Sequence, residues 1–94
     1  MASEFLEKYE EEFFSNVYVK QSLQRLVRKG VISDVVKKKI EDESDEQDAK
    51  ETLFGHLSRR ATTATLREWC EVAIAANGYP KMQELGKKMK AALP

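Results

Sequence analysis

Apolar side chains recur every three or four residues along the whole 94-residue chain, and stretches that alternate apolar and polar residues are absent. The first pattern places apolar side chains on one face of an α-helix, whereas the second is typical of half-buried strands. Proline occurs only at Pro80 and Pro94, so little interrupts helix formation. The pattern therefore predicts an all-α protein of about six short helices.

Three helices are predicted in the first half of the chain. The first covers residues 3–14, with Ser3 as a candidate N-cap, and ends at a break at Ser15-Asn16. The second covers residues 18–29 and stops at Gly30, which readily adopts the left-handed conformation that ends helices. The third runs to Ile40 behind the N-cap Ser33. The side chains expected to point inward are Phe5, Leu6, Tyr9, Phe13, Val19, Leu23, Leu26, Val27, Val35, Val36 and Ile40.

The second half of the chain has clearer start signals. The fourth predicted helix covers residues 45–59 behind the acidic turn 41–45, whose carboxylates favour a helix N-terminus. The fifth starts at Thr65, because Thr65 and Glu68 fit a capping box, and ends at Asn77-Gly78. The sixth starts at Pro80, where a missing N–H costs nothing. The inward side chains are Ala49, Leu53, Leu57, Leu66, Trp69, Cys70, Ala73, Ile74, Met82, Leu85, Met89 and Leu93.

The length of the chain suits one domain, residues 1–94, with a single core. Six short helices joined by short turns predict an antiparallel bundle. Gly86 shares the inward face of the sixth helix and should allow a neighbouring helix to approach closely. Gly55 lies inside the fourth helix and should weaken it by about 1 kcal/mol relative to alanine.

The net charge is zero, with 16 basic and 16 acidic residues, but the two signs are segregated along the chain. Residues 1–16 carry five acids and one base, and residues 17–40 carry seven bases and one acid. Residues 41–51 carry seven acids and one base, and residues 52–94 carry seven bases and three acids. Such blocks predict separate acidic and basic surfaces on one small body.

Two patches are predicted on these surfaces. The basic patch, on the second and third helices, comprises Lys20, Arg25, Arg28, Lys29, Lys37 and Lys38. The acidic patch, on the first and fourth helices, comprises Glu7, Glu10, Glu11, Asp45, Glu46, Asp48 and Glu51. Because one patch complements the other, copies of the chain could stack head to tail, which is a contact that can propagate. The alternative is that both are ordinary solvated faces, whose exposed ion pairs are worth about 0–1 kcal/mol each.

Several segments, taken in order, resemble a caspase recruitment domain of the death-fold superfamily. The run Leu23–Ser33 resembles the second helix of that family and its turn into a short third helix. The segments Asp48–Leu53 and Leu57–Arg60 resemble the fourth helix, and Asn77–Leu85 resembles the start of the sixth. The fifth helix carries Trp69-Cys70 followed by alanines, so the related death, death-effector and pyrin subfamilies stay open. A broken first helix would favour the recruitment-domain subfamily.

The resemblance implies a six-helix Greek-key bundle and a homotypic interaction module. Such domains recruit like domains on caspases, adaptors or receptors in apoptotic and innate-immune signalling, including inflammasomes. Charged patches on helices 1 and 4 meet patches on helices 2 and 3, and some members form filaments. The expected partners are therefore other domains of this kind and the chain itself, in the cytoplasm, with no membrane and no small-molecule substrate.

Other functions were weighed against this one. A nucleic-acid-binding helical domain could use the basic surface of helices 2 and 3, although no aromatic residues interleave with the lysines. A structural domain without a homotypic partner is the third hypothesis. The acidic turn fails as a calcium loop, because Gln47 and Leu53 stand where such a loop needs glycine and glutamate.

The sequence offers few residues that could serve in catalysis or in metal binding. Cys70 and His56 are the only residues of their types, and both are expected to pack in the core rather than to act as a nucleophile and base. Two such residues cannot build a zinc site, and one cysteine cannot form an intrachain disulfide. No enzyme activity, cofactor or metal is expected, and the N-terminal residues lack the features of a signal peptide.

Overall fold

The computed structural model describes residues 2–43 and 45–94; Met1, and Ser44 of the predicted acidic turn, lie outside the described residues. Among the described residues there are only helices, joined by turns and short links. These comprise one short 3-10 helix, Lys20–Ser22, and seven α-helices: α1 (Ala2–Glu7), α2 (Glu10–Asn16), α3 (Leu23–Arg28), α4 (Asp34–Glu41), α5 (Glu46–Arg60), α6 (Thr63–Ile74) and α7 (Pro80–Ala92). The all-α prediction is confirmed, and the predicted count of six helices is corrected to seven.

The additional helix arises because the first predicted helix is broken in the middle. The N–H of Lys8 donates to the carbonyl of Phe5 at 3.3 Å, and that of Tyr9 donates to Leu6 at 2.9 Å, so the chain tightens by one residue per turn there. On the two sides of the break, α1 packs against α5, whereas α2 packs mainly against α7. The prediction of a continuous helix over residues 3–14 was therefore wrong, because its two halves pack against different neighbours.

Two predicted helix starts were wrong. Ser3 lies inside α1 rather than at its N-cap. The second predicted helix, placed over residues 18–29, is a 3-10 helix followed by α3 from Leu23.

The predicted boundaries at Gly30, Ser33 and Asp45 are confirmed. Gly30 has a φ of 75° and lies just beyond the end of α3. The Ser33 hydroxyl accepts a hydrogen bond from the Val36 N–H at 3.2 Å, so it caps α4. The Asp45 carboxylate accepts from the Asp48 N–H at 2.8 Å and caps α5 in the same way.

The start of α6 differs from the prediction. The helix begins at Thr63 and its N-cap is Thr62, whose hydroxyl accepts from the Thr65 N–H at 3.1 Å. The predicted capping box of Thr65 and Glu68 therefore lies inside the helix. Three threonines at positions 62, 63 and 65 offer the same hydroxyl cap, and Thr62 takes this role because the backbone at Ala61 and Thr62 is extended.

The core contains nearly all the side chains that were expected to point inward, with Leu6, Phe13, Leu53, Leu57 and Trp69 among the most buried. The Phe13 ring lies at its aromatic centre, with its centroid 5.5 Å from that of Trp69 and 5.2 Å from that of Phe54. Val35 contradicts the prediction. It is 79% exposed, because α4 directs Val36 and Ile40 towards its neighbours and leaves Val35 on the opposite side.

Helices α6 and α7 form the most extensive helix pair, and Gly86 lies at their contact. A Cβ atom at position 86 would lie 2.8 Å from the Ala73 Cβ and 3.0 Å from the Cys70 carbonyl oxygen. The predicted close approach at Gly86 is therefore confirmed. The longest helix, α5, has 15 residues, and no described helix has the length and hydropathy that a bilayer crossing requires.

Candidate interaction surface

The members of the predicted acidic patch on α1 and α2 face the solvent. Glu7 ends α1, and Glu10 and Glu11 begin α2, directly after the break in the first predicted helix. All three are exposed, and none belongs to an ion pair that the structure describes. The break thus places three exposed carboxylates close together along the chain, between the end of α1 and the start of α2.

The members of the acidic patch on α5 are more engaged with the rest of the protein. Asp45 caps the helix, and its neighbour Glu46 is half-buried, with its carboxylate accepting hydrogen bonds from the N–H groups of Val19 and Lys20. Asp48 is also half-buried. Only Glu51 is exposed without a capping role. The contacts of Glu46 tie α5 to the start of the 3-10 helix, a role that helical periodicity does not reveal.

The basic residues of α3 form a compact cluster at the outer end of α6. Arg25, Arg28 and Lys29 line one cavity of about 380 Å³ together with Glu71, Val72 and Ala75. The Arg25 guanidinium donates a hydrogen bond to the Ala75 carbonyl at 3.0 Å, which anchors α3 to the C-terminus of α6. Arg28 and Lys29 remain exposed and belong to no described ion pair.

The other members of the predicted basic patch lie apart from that cavity. The Lys20 ammonium is half-buried and donates to the Glu43 carbonyl at 2.7 Å. Lys37 pairs with Glu41 one turn along α4, at 3.3 Å. Lys38 is exposed. The structure therefore brings Arg25, Arg28 and Lys29 together, places Lys38 on the adjacent helix α4, and uses Lys20 and Lys37 in local contacts.

None of the ion pairs that the structure describes joins the acidic patch to the basic patch. Besides Lys37–Glu41, these pairs are Lys88–Glu12 at 2.8 Å and Lys90–Glu71 at 2.6 Å. Hydrogen bonding to Lys90 lowers the pKa of Glu71, and hydrogen bonding to Glu12 raises the pKa of Lys88. These two pairs fasten α7 to α6 and α2, and neither they nor Lys37–Glu41 joins the acidic patch to the basic patch.

A second basic surface lies between α4 and α5, outside the predicted patches. Lys39, His56, Arg59 and Arg60 line one cavity of about 340 Å³ with Ser33, Val36 and Thr52. The sequence signal for it was the spacing of residues 52, 56, 59 and 60, which places all four on one side of α5. The charge blocks predict an acidic surface on this helix because its first turn is acidic, whereas its last turn carries Arg59 and Arg60.

His56 was expected in the core, and the structure places it in this cavity, half-buried. Burial lowers its pKa below 6.5, and the neighbouring charges of Arg59 and Arg60 act in the same direction, against a hydrogen bond to the backbone of Val31. The imidazole is thus mainly neutral at pH 7. The expectation of a core position was wrong because His56 lies at the edge of the apolar face of α5, where a side chain is only partly covered.

Cys70 is fully buried, as expected, in the contact between α6 and α7. Burial, reinforced by the nearby charge of Glu71, raises the pKa of its thiol to about 11. The thiol is therefore protonated at neutral pH, and a buried thiol of this kind is unreactive. Among residues 2–43 and 45–94, no group of three or more metal-ligating side chains is positioned to hold an ion.

Lys50 is a buried charged residue that the sequence gave no reason to expect. Only 9% of it is exposed, its ammonium donates to the Phe14 carbonyl at 2.8 Å, and it lies 5.4 Å from the centroid of the Tyr18 ring. Tyr18 in turn packs on Tyr79 with the ring centroids 4.7 Å apart. This arrangement secures the link after α2 and supplies partners for the buried charge.

Comparison of the chain with protein-family models, with curated proteins and with solved structures gives no match.

Proposed function

We propose that this chain is a homotypic protein–protein interaction module of the caspase recruitment domain type, in which copies associate head to tail. In this proposal, Glu7, Glu10 and Glu11 form the exposed acidic set of one copy. They meet the exposed basic set, Arg28, Lys29 and Lys38, of the next copy. Association with like domains on other signalling proteins would use the same two sets.

The observation that carries the proposal is the separation of the two sets. The acidic set lies on α1 and α2, which pack on α5 and α7, whereas the basic set lies on α3 and α4, which pack on each other and, respectively, on α6 and α5. No described ion pair joins one set to the other. A contact between two different surfaces leaves a free surface of each kind at the two ends, so it can be repeated.

The architecture supports the family assignment. The break at Lys8–Tyr9 divides the first predicted helix into α1 and α2, and a broken first helix is the feature that favours the recruitment-domain subfamily. If α1 and α2 are counted as one broken helix, the described α-helices number six, which is the number expected of a death-fold bundle. The Ser33-capped short helix α4 and the Pro80 start of α7 agree with the resembling segments.

Nucleic-acid binding is the competing function, and the cavity beside α3 does not favour it. Glu71 lies in that cavity with Arg25, Arg28 and Lys29, so a phosphate backbone following these cations would meet a carboxylate. A site that stacks the bases of a single strand would also need aromatic side chains, and none lines this cavity.

Static light scattering of the chain over a range of concentrations, at about 50 mM and 500 mM salt, tests the proposal. We expect association that weakens with salt, because exposed charges are screened over about 10 Å at 0.1 M salt. The paired reversal Arg28→Glu with Lys29→Glu should weaken association at least tenfold, since like charges across an interface cost several kcal/mol.

A matched control is Lys81→Glu with Lys87→Glu. These lysines are exposed on α7 and lie outside both sets, and the change in net charge is the same. The control should associate like the wild type. Equal association of the wild type and the Arg28/Lys29 variant would refute the proposed contact, and tight salt-dependent binding of an arbitrary duplex without self-association would favour the competing function.

A further inference from the structure

Among the described residues, the cavity between α4 and α5 is lined by basic residues and by no acidic ones. Its described lining carries three fixed positive charges, from Lys39, Arg59 and Arg60, together with the imidazole of His56. The Ser33 hydroxyl adds a hydrogen-bonding group, whereas the Thr52 hydroxyl already donates to the Glu43 carboxylate at 2.8 Å. None of the three fixed charges belongs to a described ion pair. The cavity therefore concentrates positive charge without an internal counter-ion.

Arg59, which lines this cavity, folds back along α5 towards Gly55. Gly55 lies one turn before it, and the guanidinium of Arg59 would lie 3.1 Å from a Cβ atom placed at position 55. The three heavy atoms nearest to that Cβ atom all belong to the Arg59 guanidinium. The glycine thus costs the helix about 1 kcal/mol relative to alanine and leaves space for the arginine to fold back along the helix.

The cavity continues into a second one, and the two together form a groove that is basic at one end and acidic at the other. An adjoining cavity, also of about 340 Å³, shares Lys39, Thr52 and Arg59, but its lining includes Glu43, Asp48 and Glu51. An anion in the groove would therefore be repelled at the end near Glu43 and held at the end near Arg60. A broad acidic protein surface would meet both ends, whereas a small anion can occupy the favourable end alone.

We propose that the cavity lined by Lys39, His56, Arg59 and Arg60 is a binding site for a small phosphate-bearing molecule. Guanidinium groups donate paired hydrogen bonds to phosphate oxygens, and these charge-assisted bonds are stronger than neutral ones. The volume of about 340 Å³ lies within the range of small-molecule sites. None of these four residues belongs to the two predicted patches, so the proposal goes beyond the homotypic contact.

The test is titration calorimetry of the full chain with inorganic phosphate and with tripolyphosphate, at fixed ionic strength. We expect saturable binding with one site per chain, and tighter binding of tripolyphosphate, because it can reach more of the three fixed charges. The imidazole signals of His56 in NMR spectra should shift in step with the heat, since His56 lines the same cavity and is the only histidine.

Two charge-neutralising variants distinguish a built site from general attraction. Arg59→Gln with Arg60→Gln should weaken tripolyphosphate binding about tenfold or more. Lys81→Gln with Lys87→Gln removes the same charge on α7, away from this cavity, and should leave the affinity for tripolyphosphate within about twofold. Lys39→Gln, on α4, should also weaken this affinity and replaces the arginine variant if that variant fails to fold.

Three outcomes would overturn the proposal. One is the absence of saturable binding of either phosphate probe. Another is equal weakening of tripolyphosphate binding by the Arg59/Arg60 pair and by the Lys81/Lys87 pair, which would indicate nonspecific attraction to positive charge. The third is binding of a peptide of residues 4–12, which carries the acidic α1–α2 sequence, in the absence of phosphate binding, because the groove would then be a protein-docking surface.

Discussion

Alanine at Gly86 and alanine at Gly55 should change stability in opposite directions. Both glycines lie inside helices, α7 and α5, so alanine should gain about 1 kcal/mol of helix propensity at either position. The surroundings differ. The added Cβ at position 86 would lie 2.8 Å from the Ala73 Cβ and 3.0 Å from the Cys70 carbonyl oxygen, and neither atom can move without moving α6.

The magnitude follows from these distances. Overpacking of a well-packed core costs about 1–3 kcal/mol, and rigid neighbours place Gly86→Ala at the upper end. After the gain in propensity, the net loss should be about 2 kcal/mol, which lowers the Tm of a domain of this size by roughly 8–16 °C. At position 55 the nearest atoms belong to the flexible Arg59 guanidinium, so Gly55→Ala should gain about 0.5–1 kcal/mol.

Thermal unfolding and urea titration of the two variants and the wild type provide the assay, with circular dichroism at 222 nm as the signal. Each variant is the other's control, because the chemical change is identical. A neutral or stabilising Gly86→Ala would show that α6 and α7 do not approach each other as described. A destabilising Gly55→Ala would show that Arg59 is held rigidly against the helix.

Two further predictions concern the cap of α6 and the buried thiol. Thr62→Ala removes the hydroxyl that accepts from the Thr65 N–H and should destabilise the domain by about 0.5–2 kcal/mol in urea titration. The control Thr63→Ala, one residue into the helix, should change the free energy of unfolding by less than about 0.5 kcal/mol. Equal effects of the two substitutions would contradict Thr62 as the N-cap. Cys70 should react with a thiol reagent at pH 8 about a hundredfold more slowly, or slower still, in the folded protein than in urea. The reason is that a pKa raised from 9.0 to about 11 lowers the thiolate fraction by about that factor, and burial of the thiol slows the reaction further. Comparable rates in the folded and unfolded states would refute the burial of Cys70.

The helical pattern predicted most of the fold because burial repeats with the period of the helix. Leu53 and Leu57, for example, are one turn apart on α5 and both are fully buried. The pattern failed at Lys8–Tyr9, because a helix that bends between two neighbours keeps its apolar periodicity on both sides of the bend. It also failed at Val35, since a short helix with two partners buries fewer positions than its sequence offers.

The surface was less predictable than the core. The exposed members of the two patches were identified from charge blocks alone, but the engagement of Lys20 and Glu46 was not, because their partners are backbone groups more than 20 residues away. The groove at His56 was missed for a related reason. Its cations come from the last turn of α5 and from α4, and only the packing of these two helices brings them together.

A charge-swap experiment tests the homotypic contact most directly. One variant carries Glu7→Lys with Glu11→Lys, and the other carries Arg28→Glu with Lys29→Glu. Each variant alone should fail to self-associate in light scattering, because each has two surfaces of like sign. A mixture should recover the salt-dependent association of the wild type, since the reversed acidic set of one variant now complements the reversed basic set of the other.

The control for the mixture combines the Glu7→Lys, Glu11→Lys chain with a chain that carries Arg28→Gln and Lys29→Gln. The second chain loses its basic set without gaining acidic charge, so the mixture should not restore the extended association of the wild type. Recovery of association only in the charge-swapped mixture is the result that the head-to-tail account predicts. A charge-swapped mixture that scatters no more than its separate components, while the wild type associates, would contradict it.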